Sequence, residues 1–310
     1  MQRRNASEIN DMPKSQINLG ELAELLASGP EGREKIEKQA KAINELQEAL
    51  MLVVKRTRPY KVPIKSDENT IRFGLIGDIH IGSLYQRIDA LQLFYEQLAG
   101  EGIDTVLCAG DIVDGWKVYR GQEFELHPYG RSWADQRAMF AEKAPRIDGM
   151  KTIFITGNHD ASFKNLVGMV VGDELCQIRP DWEFVGQDVG DVDLTAESGD
   201  KLRVRLFHPG GGTAYAMSYR IQKIIESLAG GEKPDLLAVG HYHKAEFIPA
   251  YRNIAAIQVG TFQSQTPFMV RLASQAHVGG WIVEATLGGN LTSRIKAEFI
   301  SFMEPEGDGK

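Results

Sequence analysis

Ile71-Arg72-Phe73-Gly74-Leu75-Ile76-Gly77-Asp78-Ile79-His80 is an apolar run of strand length that breaks at a glycine and delivers a carboxylate and an imidazole two residues apart. The same grammar recurs four more times. Gly110-Asp111-Ile112-Val113-Asp114 follows the run 105–109, Gly157-Asn158-His159-Asp160 follows 152–155, Phe207-His208-Pro209 closes 202–207, and Gly240-His241-Tyr242-His243 follows 236–239. Further strands are expected over 254–259, 281–287 and 294–300. Helical spacing of apolar residues covers 84–98, 132–143 and 213–228. Strands alternating with helices from residue 71 onward make the α/β rhythm, and open α/β sheets bind ligands beyond the carboxyl ends of their strands.

The residue types at these ends carry a chemical message. A lone Asp after Gly is a turn residue and a lone His an ordinary polar group. Here, however, five of the chain's seven histidines stand at strand ends beside carboxylates or an amide. In an extended segment, residues two apart point to one side, so Asp78 with His80, and His241 with His243, present paired ligands. Carboxylate, imidazole and amide oxygen without thiolate suit Mn, Fe or Zn in a catalytic setting. The donors outnumber what one ion needs, so two divalent ions are expected, with a carboxylate such as Asp111 between them.

These motifs, in this order, resemble those of the calcineurin-like metallophosphoesterases over residues 71–310. The resemblance implies a four-layer αββα sandwich of two mixed sheets. It implies Asp78, His80, Asp111 and His243 as ligands of one metal, and Asp111, Asn158, His208 and His241 as ligands of the other. His159 becomes the acid near the leaving group, oriented by Asp160. Two ions, Mn first and Fe or Zn next, acidify a bridging water for in-line attack on phosphorus. His80-Ile81-Gly82 is similar to the motif of DNA repair nucleases in this superfamily, and the domain also resembles phage-borne stand-alone phosphoesterases, which fits a phage or prophage source. Diester or nuclease chemistry is therefore expected first, phosphomonoester or nucleotide hydrolysis second, and a non-catalytic scaffold last.

Substrate contacts are expected from two places. Gly210 and Gly211 follow His208 and precede a helix, offering free amides to an anion. The insertion 115–131 carries Trp116, Tyr119, Arg120, His127, Tyr129 and Arg131, groups that stack or bind phosphate, and Arg120 and Arg131 are its phosphate candidates. Residues 263–269 are expected to rim the same cleft.

Residues 1–54 read as a helical extension, with Leu19, Leu22, Leu25 and Leu26 on one face and Ile36, Ile43, Leu46, Leu50 and Val53 at heptad-like spacing. A helix pair packed on the main domain is expected first, and a homodimer or partner contact through these helices second. The stretch 55–70, opened by Lys55-Arg56-Thr57-Arg58-Pro59, reads as a basic linker.

Composition sets outer limits. The net charge is −7, and residues 71–310 hold 23 basic against 31 acidic side chains, which excludes a protein that coats duplex DNA through a broad basic surface. Short single strands and DNA ends stay open as substrates. Two cysteines make no disulfide framework, Arg3-Arg4 lacks the apolar stretch of an export signal, and no run approaches the ~18 apolar residues of a membrane span. A cytoplasmic protein without membrane contact is expected.

Overall fold

The computed structural model describes residues 59–302, apart from residue 68, residues 213–215 and residues 289–290. The proposed helices of 1–54 lie outside the described residues. Strands β1 (Tyr60–Pro63), β2 (Ser66–Asp67), β3 (Thr70–Ile76), β4 (Thr105–Cys108), β5 (Lys151–Thr156) and β6 (Trp182–Gln187) come first, followed by β7 (Val189–Thr195), β8 (Lys201–Phe207) and β9 (Leu236–Val239). The last four are β10 (Ala245–Tyr251), β11 (Ile254–Val259), β12 (Gly279–Gly288) and β13 (Leu291–Ser301). They build two mixed sheets. One runs β1-β7-β8-β9-β11-β10, and the other β13-β12-β3-β4-β5-β6 with β2 added to β3.

The helices are α1 (Ile88–Gly100), α2 (Trp133–Lys143), α3 (Asn158–Val167), α4 (Val171–Ile178), α5 (Met217–Ser227) and α6 (Pro267–Arg271). Phe73, Leu75, Leu107, Ile153 and Ile155 of one sheet meet Val204, Leu206, Leu236, Ala238, Ile257 and Val259 of the other in a closed apolar layer. Outside it, Leu91, Phe94 and Leu98 of α1, Phe140 of α2 and Leu175 of α4 cover the second sheet. Ile221 and Ile225 of α5 cover the first through Leu237, Val239 and Ile254. The result is the expected αββα order. It explains why β4, β9 and β11 are buried at every position and read as largely apolar runs, with Thr105 and Gln258 as their polar residues.

Two expectations need correction. The stretch 55–70 is not all linker: Tyr60–Pro63 pairs in parallel with Val192–Thr195, and Ser66–Asp67 pairs antiparallel with Thr70 and Ile71. A strand at a sheet edge tolerates the proline and charges that suggested a tether. The first helix begins at Ile88 rather than residue 84. Its leader is spent on long-range pairing, with the Leu84 N–H donating to Glu125 O at 2.8 Å and the Arg87 N–H to Phe262 O at 2.7 Å. By contrast α2 starts where expected, because Ser132 caps it: Ser132 Oγ accepts from the Asp135 amide while Asp135 Oδ2 accepts from the Ser132 amide.

The candidate metal centre

Beyond the carboxyl ends of β3, β4, β5, β8 and β9 the five sequence motifs meet. Asp78, His80 and His243 form one group of ligand atoms within 4.8 Å of one another, and Asp111, His208 and His241 form a second. Asn158 joins the second, its Oδ1 lying 3.1 Å from His208 Nε2 and 2.9 Å from His241 Nδ1. Asp111 faces both, with Oδ2 3.0 Å from His208 Nε2 and 3.9 Å from His80 Nε2. All of these residues except Asn158, His241 and His243 are at most 2% exposed.

The local backbone differs from the extended segments anticipated from sequence. Asp78, His80, Asp111, His241 and His243 all have φ between 51° and 79°, the left-handed region. Side chains two apart converge here because each strand ends in a tight left-handed turn, and such strain in non-glycine residues gathers at functional sites. The turns lock one another: the His241 N–H donates to Asp78 Oδ1 at 2.8 Å, and the His159 N–H donates to Asp111 Oδ1 at 2.9 Å.

The outer partners of the imidazoles fix which nitrogen faces inward. His80 Nδ1–H donates to Asp114 Oδ1 at 2.9 Å, His208 Nδ1–H to Ala109 O at 2.7 Å, and His241 Nε2–H to Gly211 O at 2.7 Å. These assignments follow from the acceptors. The remaining ring nitrogens turn inward: His80 Nε2 lies 3.1 Å from His243 Nε2, and His208 Nε2 and His241 Nδ1 both face Asn158 Oδ1. Ring nitrogens and oxygens packed this closely need a cation among them, either a proton on one of the rings or a metal ion. Imidazoles held by outer carbonyls and carboxylates are the usual arrangement of metal ligands, so the donor set fits a pair of divalent ions.

Electrostatics agrees. Burial opposes a charge on His208, but the Asp111 and Asp78 carboxylates overcome it and raise its pKa to about 10. Burial likewise disfavours the Asp111 carboxylate, yet His208, His159 and His80 hold it well below the ordinary range. The pocket's own charge calls for a cation.

His159 projects into the cavity beside the cluster. Its Nδ1–H donates to Asp114 O at 2.6 Å, and its ring packs edge-on against His80 at 4.5 Å. Burial works against protonation, but Asp111 and Asp114 raise its pKa above the usual value. Asp160 does not orient it. The Asp160 carboxylate accepts the amides of Gly157, Val113 and Ile112 at 2.9, 2.9 and 3.2 Å, stitching the β4 turn to the start of α3. Burial and the Asp111 charge push its pKa up to about 7 against the pull of those three donors. Asp114 performs the orienting role instead, by its carboxylate to His80 and its carbonyl to His159. The doubled aspartate of Gly110-Asp111-Ile112-Val113-Asp114 was the available signal.

A cavity of about 430 Å³ opens over the cluster, lined on one side by Asn158, His159, Gly210 to Gly212, His241 and His243 and on the other by Val118, Tyr119, Thr266, Phe268, Met269 and Leu272. Gly210 and Gly211 thus stand where expected, and so do Gln263 and Thr266 of the rim. Arg120 and Arg131 do not line it. Arg120 points to the far side of the wall, and Arg131 is exposed at the start of the α2 approach. Among the described residues, no Lys or Arg lines the cavity.

Known proteins bear on this centre. The chain is 28% identical over 235 residues to a protein named DNA polymerase II small subunit from Halobacterium salinarum, covering 65% of this chain and 45% of that one. It is 26% identical over 252 residues to the protein of the same name from Methanothermobacter thermautotrophicus, covering 66% and 50%. The chain therefore spans about half the length of the curated relatives it matches. Among solved structures, a phosphatase of Mycoplasma pneumoniae aligns with 76% of this chain and 95% of its own at 13% identity and a TM-score of 0.41. The sequence profile of one family matches residues 71–245, from the first ligand-bearing strand through His243, and by that match the chain belongs to the calcineurin-like phosphoesterases.

Proposed function

We propose that the protein is a dimetal-dependent phosphodiesterase acting on single-stranded DNA or DNA ends. The observation that carries the reading is the convergence of inward-facing ring nitrogens and carboxylates from five strand ends on two adjoining points. Asp78, His80, Asp111 and His243 would hold one ion, and Asp111, Asn158, His208 and His241 the other, with Mn first in order and Fe or Zn next. When bound, such ions clamp phosphate oxygens and acidify a water for in-line displacement. The chain's own residues do the rest. His159, held through Nδ1, presents an Nε2 proton to the leaving oxygen, and the carboxylates around it keep that proton available. The Gly210 to Gly212 turn frames the cavity mouth and fixes the His241 ring through the Gly211 carbonyl.

The lining favours a diester over a monoester. A monoester dianion would meet no Lys or Arg among the described lining residues, whereas a diester carries one negative charge and a second organic substituent that the apolar wall can cover. The names of the polymerase-subunit relatives support DNA as the polymer and a protein partner as company, with the N-terminal helices of 1–54 as the contact. A cytoplasmic setting is part of the same reading.

The test compares an aryl phosphodiester, an aryl phosphomonoester, and single- and double-stranded DNA with the Mn-loaded protein. Expected are hydrolysis of the diester and of single strands, abolition by chelation and restoration by Mn. His159→Ala should lower kcat by about 10² to 10⁴ while Mn still binds. Activity surviving exhaustive chelation would exclude the mechanism, and Mn binding without turnover on any substrate would leave a scaffold.

A further inference from the structure

The wall of the cavity opposite the metal centre has two faces built from the same two segments. Val118 and Tyr119 face the cavity, while Arg120, Gly121, Phe124 and Glu125 of the same loop face outward. Phe268, Met269 and Leu272 face the cavity, while Pro267 and Arg271 face outward. The segments are clamped together. Tyr119 stacks on Phe268 with ring centroids 4.1 Å apart and an interplanar angle of 18°. Glu125, buried at 4% exposure, accepts the Tyr119 hydroxyl at 2.8 Å and the Phe268 amide at 3.0 Å, so both of its oxygens are engaged within the wall. The Tyr119 ring lies 6.1 Å from that of His159, beside the point where the leaving group departs.

Over the rim, the outward face forms a second concavity containing Arg120 and Arg271, both exposed. Among the described residues neither guanidinium forms an ion pair, although Arg271 lies 6.0 Å from the Phe268 ring centroid. Phe124, 78% exposed, lines the same hollow. A partly exposed aromatic pair followed by two unpaired arginines is the combination that tracks a single strand: rings receive bases and guanidiniums receive backbone phosphates.

We propose that this wall is a binding track for single-stranded DNA, in which Tyr119 and Phe268 receive the base next to the scissile phosphate and Arg120 and Arg271 receive the following backbone phosphate. The proposal rests on the phosphodiesterase reading for the placement of the scissile group. It accounts for a cationic loop that contributes no cation to the cavity, and for an acidic chain that handles an anionic polymer: the contact is short and local. A duplex cannot follow it, because the base must leave its stack to meet the rings.

The track is tested by binding, without turnover. Fluorescence anisotropy of a labelled thymidine dodecamer with the full-length protein in chelator should show saturable binding, weaker for the duplex and for an abasic strand of equal length. Arg120→Glu with Arg271→Glu should raise Kd at least 10-fold and reduce the slope of log Kd against log salt by about 0.7, the value for one phosphate contact on a single strand. Phe268→Leu, which keeps apolar bulk and removes the ring, should raise Kd about 10-fold for the base-bearing strand and leave the abasic strand unaffected, with Phe268→Tyr restoring it. Unchanged binding in the arginine variant, equal binding of abasic and base-bearing strands, or tighter binding of an RNA dodecamer would overturn the assignment. Because hydrolysis of the aryl diester by the unmodified protein is read separately, failure of the track and failure of the catalytic reading give different results.

Discussion

Asp114 does not line the cavity, yet His80 and His159 both depend on it. Its carboxylate holds His80 by Nδ1 and its carbonyl holds His159 by Nδ1, and its other oxygen is contacted by Gln122 Nε2 at 3.2 Å. Asp114→Asn offers His80 an amide of similar size but without charge. Removing such outer partners typically costs 10- to 100-fold in metal affinity. Calorimetric titration with Mn should show a loss of that size at one of the two sites, with the carbonyl contact to His159 kept; undiminished affinity at both would show that His80 needs no carboxylate behind it. The convergence of the seven proposed ligands was legible in sequence because metal chemistry narrows the residue types and the strand ends repeat. The division of labour between Asp114 and Asp160 was not, since two aspartates three and two residues from their neighbours differ only in which backbone amides lie within reach.

Turns between elements decide whether those ligands meet. Gly157 ends β5 in extended backbone, φ −113° and ψ −165°, so its conformation does not require glycine. Space does. A Cβ there would lie 2.3 Å from Asp111 Oδ1 and 2.7 Å from His208 Cδ2. Gly157→Ala therefore pushes the carboxylate that both groups share, with no change of charge or backbone preference. The expected result is a loss of at least 10-fold in Mn affinity with a melting temperature lowered by a few degrees, the overpacking penalty being about 1–3 kcal/mol. Full affinity would mean Asp111 can move without consequence. Elements were legible to different degrees for related reasons. Fully buried strands such as β4 and β9 read as apolar runs. β10, with Glu246 and Pro249 and no fully buried position, is an edge strand without that signature, and β7 hides Asp191 and Asp193 in pairs with Arg205 and Arg203 at 2.6 and 2.8 Å. α3 begins inside the Asn158-His159-Asp160 motif, where chemistry rather than helical spacing dictates the residues.

At the scale of the molecule, the charge of −7 separates into a cluster of carboxylates around a cation site and a surface of ordinary acidic cast. Among the described residues no helix is long and apolar enough to cross a membrane. The cluster also makes stability depend on ions and pH together. With chelator present, the folded pKa of His208, about 10, stands above its ordinary value of 6.5. A raised histidine contributes stability that is complete below pH 6.5 and is lost as pH climbs toward 10. The melting temperature of the chelated protein should therefore fall across that interval. Saturating Mn should raise it throughout and flatten the decline, adding about 4 kcal/mol of stability per ion at a thousandfold excess over Kd. A chelated protein whose melting temperature is level from pH 7 to 10 would contradict the charge assigned to His208.

The ligands are divided between the two sheets: Asp78, His80, Asp111 and Asn158 leave one, and His208, His241 and His243 leave the other. Between them lies the apolar layer, so tight at its end that a Cβ on Gly77 would come within 2.6 Å of Val259 Cγ2. That layer is consequently a gauge block. Its thickness, set by the methyl groups of residues such as Leu75, Leu206 and Val259, fixes the span across which one carboxylate must reach two positions. A methyl group gained or lost deep in the interior is thereby a change in the calibration of the chemistry at the rim.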